Sequence, residues 1–116
     1  MSEIKRLHPA ARYSEGSVHA GTVYLAGQVA VGGGTTIEAQ ATEVLAGIDK
    51  LLGEAGTSKS RILMATVYLA DMADYAGLNS VWDRWVDRAG APSRATVEAK
   101  LARPEWKLEI VVTAAI

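Results

Sequence analysis

Arg94 is the residue whose type and position in this sequence best suit the binding of a small anion. It stands just after Pro92 and Ser93, at the start of a run in which polar and apolar residues alternate, so Thr96 shares its face of a predicted strand. A guanidinium at a strand end can form two parallel hydrogen bonds with a carboxylate, and a nearby hydroxyl can add a third. On pattern alone, an ordinary surface arginine is the commoner alternative.

Glu109 is the second candidate for chemistry. It is the single carboxylate in the apolar C-terminal run 108–116. A lone carboxylate on such a strand is either an edge residue or a positioned acid or base. The sequence leaves both interpretations open.

Other reactive groups give weaker signals. His8 and His19 lack the spacing of metal ligands, so we expect no metal site. The chain has no cysteine, which excludes disulfides and thiolate chemistry. The run Gly32–Gly34 precedes a predicted helix but lacks the lysine of a phosphate-binding loop, so a flexible loop is favoured.

Charge and aromatic content argue against a nucleic-acid partner. The net charge is −1, which supplies no obvious basic face for a phosphate backbone. Trp82 and Trp85 fall on the apolar stripe of a predicted helix and are assigned to the core, whereas Trp106 lies in a predicted loop and stays open as a stacking residue. We expect no nucleic acid to bind.

Two helices are predicted. The first follows Thr35, which forms a capping box with Glu38, and it ends near Gly56. The second begins after Asp71 or Asp74. Their predicted buried faces are Ile37, Ala41, Val44, Leu45, Ile48, Leu51 and Leu52 in the first helix, and Tyr75, Leu78, Trp82 and Trp85 in the second.

Strands are predicted within 17–30, where Gly21 divides two runs, and at 62–70, 94–101 and 108–116. The residues Lys59 to Arg61 are interpreted as the solvated start of the second of these regions. The pattern favours one α+β domain over residues 1–116, with a mixed sheet and two helices.

The strands at 62–70 and 108–116 are apolar on both faces for much of their length. Two helices can cover only one face of a sheet of this size, so a second copy of the chain is the simplest cover for the other. The sequence therefore predicts a homo-oligomer with its sheets packed inward. The alternative is a small number of exposed aliphatic residues.

The N-terminal residues 1–10 lack the apolar core of a signal peptide. No apolar run approaches the roughly 20 residues that span a bilayer. We expect a cytoplasmic protein without a membrane partner.

The C-terminal segment 91–116 carries a spaced motif, Pro-x-Arg-x-x-Val-x-x-x-x-Leu, then a short loop and Lys-hydrophobic-Glu-Ile. Its residues here are Pro92, Arg94, Val97, Leu101, Lys107, Leu108, Glu109 and Ile110. This segment resembles the signature of the Rid/YjgF family, the reactive intermediate (enamine/imine) deaminases. Upstream, the pair Gly27-Gln28 and the helix with Asn79 and Trp82 are also similar to the family, so the likeness covers nearly the whole chain.

The resemblance implies a chorismate-mutase-like fold, with the two helices on one face of the sheet, that forms a homotrimer with pockets between subunits. The implied activity is hydrolysis of a small 2-imino acid to a 2-keto acid and ammonia, without a metal or organic cofactor. Arg94 would hold the substrate carboxylate and Glu109 would position or activate water. The residues implied to line the pocket are Tyr13, Asn79 and Thr96, with Gly27 leaving space near the imine.

Three positions depart from the family pattern. Ala11-Arg12-Tyr13 replaces a common Gly-Pro-Tyr, Ala26 replaces a common serine, and Thr96 stands where a cysteine is frequent. The missing hydroxyl at Ala26 keeps a second class open, in which the same trimer binds or senses a small keto acid without turnover. RNA cleavage is a third, weaker possibility that the net charge and the lack of a histidine pair oppose.

Overall fold

A computed structural model describes residues 3–116 and shows a six-stranded sheet. The strands lie in the order β1-β2-β3-β6-β4-β5, and β4 and β5 are parallel while every other neighbouring pair is antiparallel. Their bounds are β1 Lys5–Pro9, β2 Ser14–His19, β3 Thr22–Leu25, β4 Ile62–Leu69, β5 Ser93–Glu98 and β6 Leu108–Ala115.

Two helices, α1 at Ile37–Glu54 and α2 at Tyr75–Trp85, pack on one face of this sheet. The apolar stripe of α1 buries all seven residues predicted from its spacing. Beneath the helices, alternate residues of the central strands are almost fully buried; they are Ala65, Val67 and Leu69 of β4 and Leu108, Ile110, Val112 and Ala114 of β6. The predicted α+β class, with a mixed sheet and two helices on one face, is confirmed.

The predicted start of α1 was wrong by one residue. Thr36, not Thr35, is the N-cap, and its Oγ1 accepts a hydrogen bond of 3.1 Å from the backbone N–H of Ala39. From the N-cap position, this hydroxyl reaches an N–H of the first turn that has no partner within the helix. At the other end, Gly56 adopts φ +85° and stops the helix as predicted.

The N-terminal strand β1 was missed. Its sequence carries one inward apolar residue, Leu7, which packs against Gly16 of β2 and leaves no alternating apolar pattern to detect. A Cβ atom on residue 16 would lie 2.9 Å from Leu7 Cδ1, so the glycine makes room for the packing. Lys59–Arg61, predicted as the start of a strand, forms a turn of 3₁₀ helix instead.

The second face of the sheet carries no helix of residues 3–116. Large side chains on this open face are well exposed, with Tyr24 at 51%, Met64 at 38% and Val97 at 44%. On β5, Arg94, Thr96 and Glu98 face the helices while Ala95 and Val97 face outward. This is the reverse of the pattern expected for a strand whose open side meets solvent. Neither helix in this part of the chain combines the length and apolarity needed to cross a membrane.

Candidate functional site

Arg94 lies on β5, at the edge of the sheet, with its side chain under α2. Its guanidinium carbon is 5.0 Å from the centre of the Trp82 ring and 5.9 Å from that of Tyr75. Its Nη2 donates to the Tyr75 hydroxyl over 3.4 Å. Among residues 3–116, no carboxylate forms an ion pair with Arg94. A cation held between aromatic rings and left without a counter-charge is ready to bind an anion.

Asn79 and Thr96 lie beside this cation. Asn79 is four residues after Tyr75 and three before Trp82, which places it on the same face of α2. Thr96 follows Arg94 by two residues on β5, and its Oγ1 is buried with no hydrogen-bond partner among residues 3–116. A buried hydroxyl without a partner is unusual and marks a position where a ligand or water can complete its bonding.

Tyr75 was predicted to be buried, and this was wrong. Its side chain is 41% exposed because it packs over the Arg94 guanidinium at the rim of α2 rather than beneath the helix. The sequence placed Tyr75 and Trp82 on one helical stripe, but apolar periodicity cannot separate a core residue from one that lines a site.

Glu109 is the second residue of β6 and lies apart from the residues around Arg94. Its carboxylate rests directly against the backbone of Gly27, so that a Cβ atom at residue 27 would overlap with it. Gln28, the next residue, is held by two backbone hydrogen bonds to Ile110, of 2.9 and 3.1 Å. These bonds fix the Gly27 segment against β6. Two of the predicted site residues, Gly27 and Glu109, are therefore in direct contact.

Tyr13 belongs to the same end of the sheet. It closes the turn between β1 and β2, where its carbonyl accepts a bond of 3.0 Å from the N–H of Ala10. The N–H of Ala26 bonds to the carbonyl of Glu15, which keeps Gly27 alongside the residues that follow Tyr13. The Tyr13 side chain is 61% exposed and so is free to meet a ligand or another chain.

One chain does not bring Arg94 and Glu109 together. Arg94 pairs with Ala65, and Glu109 pairs with Tyr68, three residues further along β4. Since side chains alternate between faces, Arg94 points to the helices and Glu109 to the open face. Two strand spacings and three residues separate their backbones by roughly 14 Å. The predicted catalytic pair therefore forms two half-sites, defined as the Arg94 half (with Tyr75, Asn79, Trp82 and Thr96) and the Glu109 half (with Gly27 and Tyr13).

The glycine-rich loop after Gln28 is bound by the chain itself. The Glu43 carboxylate accepts the backbone N–H groups of Val31, over 2.7 Å, and Gly32, over 3.0 and 3.1 Å. Two backbone donors at the start of the loop are thus already occupied by a carboxylate of the same chain, which holds the loop against α1 at these residues.

Gln40 is a buried polar residue that ties α1 to both loops flanking the Glu109 half. Its Nε2 donates to the carbonyls of Gly34 and Glu105, each over 2.9 Å, and its Oε1 accepts the N–H of Lys107 over 2.8 Å. These three hydrogen bonds give both polar atoms of the buried Gln40 side chain a partner, as burial requires. A cleft of ≈ 590 Å³ beside it contains none of the six predicted site residues; its lining is Ala30, Val31, Gly33, Gly34, Thr35, Gln40, Arg103, Pro104, Glu105 and Lys107.

Comparison with known proteins identifies the class. The model of the family described as Endoribonuclease L-PSP matches residues 3–116. A RutC family protein of Haemophilus influenzae is 56% identical over 115 residues, covering 96% of this chain and 97% of the relative. The RutC family protein YoaB of Escherichia coli is 41% identical over 113 residues, covering 97% and 98%.

Solved structures agree with this assignment. The crystal structure of a member of the YjgF protein family from Neisseria meningitidis superposes with a TM-score of 0.95 at 46% identity, covering 97% of this chain and 94% of that one. The chain belongs to the Endoribonuclease L-PSP family, which includes the YjgF/Rid and RutC proteins. The resemblance inferred from the C-terminal motif is confirmed.

Proposed function

We propose that the protein is a hydrolytic deaminase that converts a small 2-imino or enamine acid to a 2-keto acid and ammonia. The observation that carries this proposal is the Arg94 half-site, where a cation without a carboxylate partner faces further polar groups. Such a site suits a substrate carboxylate. The Glu109 half-site supplies the second requirement, a carboxylate with open backbone beside it at Gly27.

The chemistry requires little beyond orientation. Arg94 holds the substrate carboxylate while the Glu109 carboxylate takes a proton from water as the water oxygen bonds to the imine carbon. That proton passes to the nitrogen as the C=N double bond becomes single, which gives a carbinolamine. The carbinolamine hydroxyl then gives up its proton, which the carboxylate carries to the nitrogen, so the C–N bond breaks, the C=O bond of the 2-keto acid forms and ammonia leaves. Gly27 leaves space at the reacting carbon, and Tyr13 lies at the same end of the sheet.

The proposed active unit is a homotrimer with its sheets packed inward and a pocket between neighbouring subunits. Two features support it. The open face exposes Tyr24, Met64 and Val97, which a second copy would cover. Moreover, Arg94 and Glu109 lie on opposite faces of one sheet, so contact between copies is the way for both to reach a single substrate.

Replacing Arg94 tests this function. In Arg94→Ala, kcat/KM for hydrolysis of 2-iminobutanoate, generated freshly from an amino acid by an oxidase, should fall by at least about 100-fold, because a bidentate charged contact is lost. Ammonia release in a coupled assay measures it. Arg103→Ala is the matched control, since Arg103 is an exposed arginine paired only with Glu105 and the Trp106 ring.

Equal activity of Arg94→Ala and wild type would rule out the proposed role of Arg94. An unchanged oligomer, checked by light scattering after gel filtration, separates loss of the contact from loss of assembly.

A non-catalytic binding or sensing protein for a small keto acid is the second candidate, and Ala26 is the observation that favours it. Beside the Glu109 half, Ala26 offers only a methyl group and a carbonyl, and the Gln28 side chain occupies that carbonyl over 2.9 Å. The position therefore supplies no hydroxyl to the pocket. Tight binding of 2-keto acids by calorimetry, together with no acceleration of ammonia release from several imino acids, would establish this candidate instead.

A further inference from the structure

Tyr75 is a polar group beside Arg94 to which the motif comparison gives no role. Its hydroxyl oxygen accepts a hydrogen bond from Arg94 Nη2. The hydroxyl hydrogen is therefore free to point elsewhere, and among residues 3–116 no hydrogen bond uses it. The ring is 41% exposed, so this hydrogen is accessible from outside the chain.

The Arg94 guanidinium and the Tyr75 hydroxyl can both donate hydrogen bonds to a ligand. The guanidinium has five N–H donors and no acceptor, and only one of its contacts within the described chain is a hydrogen bond to a side chain. Trp82 is buried and presents its ring to the guanidinium over 5.0 Å, which fixes the cation from one side. A carboxylate has two acceptor oxygens, and an arrangement of a guanidinium and a hydroxyl hydrogen can bond to both of them.

Resting on the proposed function, we propose that Tyr75 is the second anchor of the ligand carboxylate. Its hydroxyl donates to one carboxylate oxygen while Arg94 donates to both. Trp82 holds the guanidinium in place through its ring and does not itself contact the ligand. Tyr75 then adds to the preference that Arg94 gives the site for a free acid over an uncharged ester, because the ester oxygens accept such a bond more weakly.

The test is calorimetric binding of 2-oxobutanoate and of its methyl ester to wild type, Tyr75→Phe and Tyr24→Phe. Tyr75→Phe keeps the ring over Arg94 and removes only the hydroxyl. We expect the Kd for 2-oxobutanoate to rise roughly 10- to 100-fold, the range for one hydrogen bond to a charged group. The Kd for the ester should stay within about twofold of wild type. Tyr24→Phe removes a hydroxyl on the open face, away from Arg94, and keeps the ring that a second copy would cover. It should bind both ligands as wild type does, with its oligomer shown to be unchanged by light scattering.

The outcomes separate this inference from the proposed deaminase. Wild type that binds 2-oxobutanoate but hydrolyses no imine would reject the deaminase, and the Kd of Tyr75→Phe would still decide the role of Tyr75. Equal Kd values for the acid in wild type and Tyr75→Phe would overturn the inference while leaving the deaminase intact. So would a parallel loss of acid and ester binding, because that pattern reports packing. Wild type that binds no 2-oxobutanoate overturns the inference whether or not imines are hydrolysed.

Discussion

At the scale of single residues, the absence of a side chain at Gly27 determines where the Glu109 carboxylate can lie. The carboxylate occupies the space that any side chain at residue 27 would need. The atoms that would be displaced are the far end of the flexible Glu109 side chain, so a larger residue at 27 moves the carboxylate without breaking the sheet. We therefore expect substitution at residue 27 to affect the proposed activity more than the stability of the fold.

Gly27→Ala should lower kcat for imine hydrolysis on the order of 100-fold, the usual cost of displacing a catalytic group by about 1 Å. Its melting temperature should change by no more than a few degrees. Gly53→Ala is the matched control, because a Cβ atom there meets no atom within 4 Å and the residue lies in the last turn of α1. The control should keep full activity and gain about 0.5–1 kcal/mol of stability. Full activity in Gly27→Ala would show that Glu109 does not act from its present position.

The sequence predicted candidate site residues from the chemistry of their side chains, but it gave no information on their relative positions. Arg94 and Glu109 stood out because a cation and a carboxylate were placed where alternation predicted strands. Tyr75 was assigned to the core because its ring fits an apolar stripe, and only the structure shows its hydroxyl beside the Arg94 guanidinium. Side-chain periodicity reports which face of a helix a residue occupies, not whether that position lies at its rim.

At the scale of elements, prediction succeeded where burial imposed a period. The apolar stripe of α1 and the inward face of β6 were predicted correctly because each buries its apolar residues in the shared core, and β4 was predicted as a strand at 62–70 from its short apolar run. Strand β1 was missed because only Leu7 faces the core, and the register between β4 and β6 was unreadable because pairing is decided by contacts distant in sequence. The pairing of β5 with β4, together with that of β6, places Arg94 and Glu109 on opposite faces of the sheet.

Gln40 connects these elements, and its replacement by glutamate should destabilise the protein strongly. In Gln40→Glu, a carboxylate oxygen replaces the Nε2 that donates to the carbonyls of Gly34 and Glu105, leaving acceptors facing acceptors in a buried site. The free energy of unfolding should fall by about 2–4 kcal/mol. Urea denaturation at one fixed protein concentration measures it, with Ala46→Glu on the exposed face of α1 as the control. A change below about 0.5 kcal/mol in Gln40→Glu would show that the three bonds do not hold the loops.

At the scale of the whole molecule, the opposite placement of the two half-sites means that the proposed activity would depend on contact between chains. Each chain offers Arg94 on the helix side of an edge strand and Glu109 on the open face. In a closed ring of identical chains, every interface repeats the same contact, so each pocket takes one half-site from each neighbour. This arrangement predicts complementation between two inactive variants.

Arg94→Ala and Glu109→Gln should each be inactive alone, yet regain activity when unfolded together and refolded as a 1:1 mixture. A working pocket needs Arg94 from a Glu109→Gln chain and Glu109 from an Arg94→Ala chain. Each condition is met half of the time under random assembly, so about a quarter of the wild-type activity should return. Different affinity tags on the two variants identify mixed oligomers, and a mixture made without unfolding controls for slow subunit exchange. If both half-sites acted from one chain, every chain would lack one of them, and mixed oligomers would be as inactive as their parents.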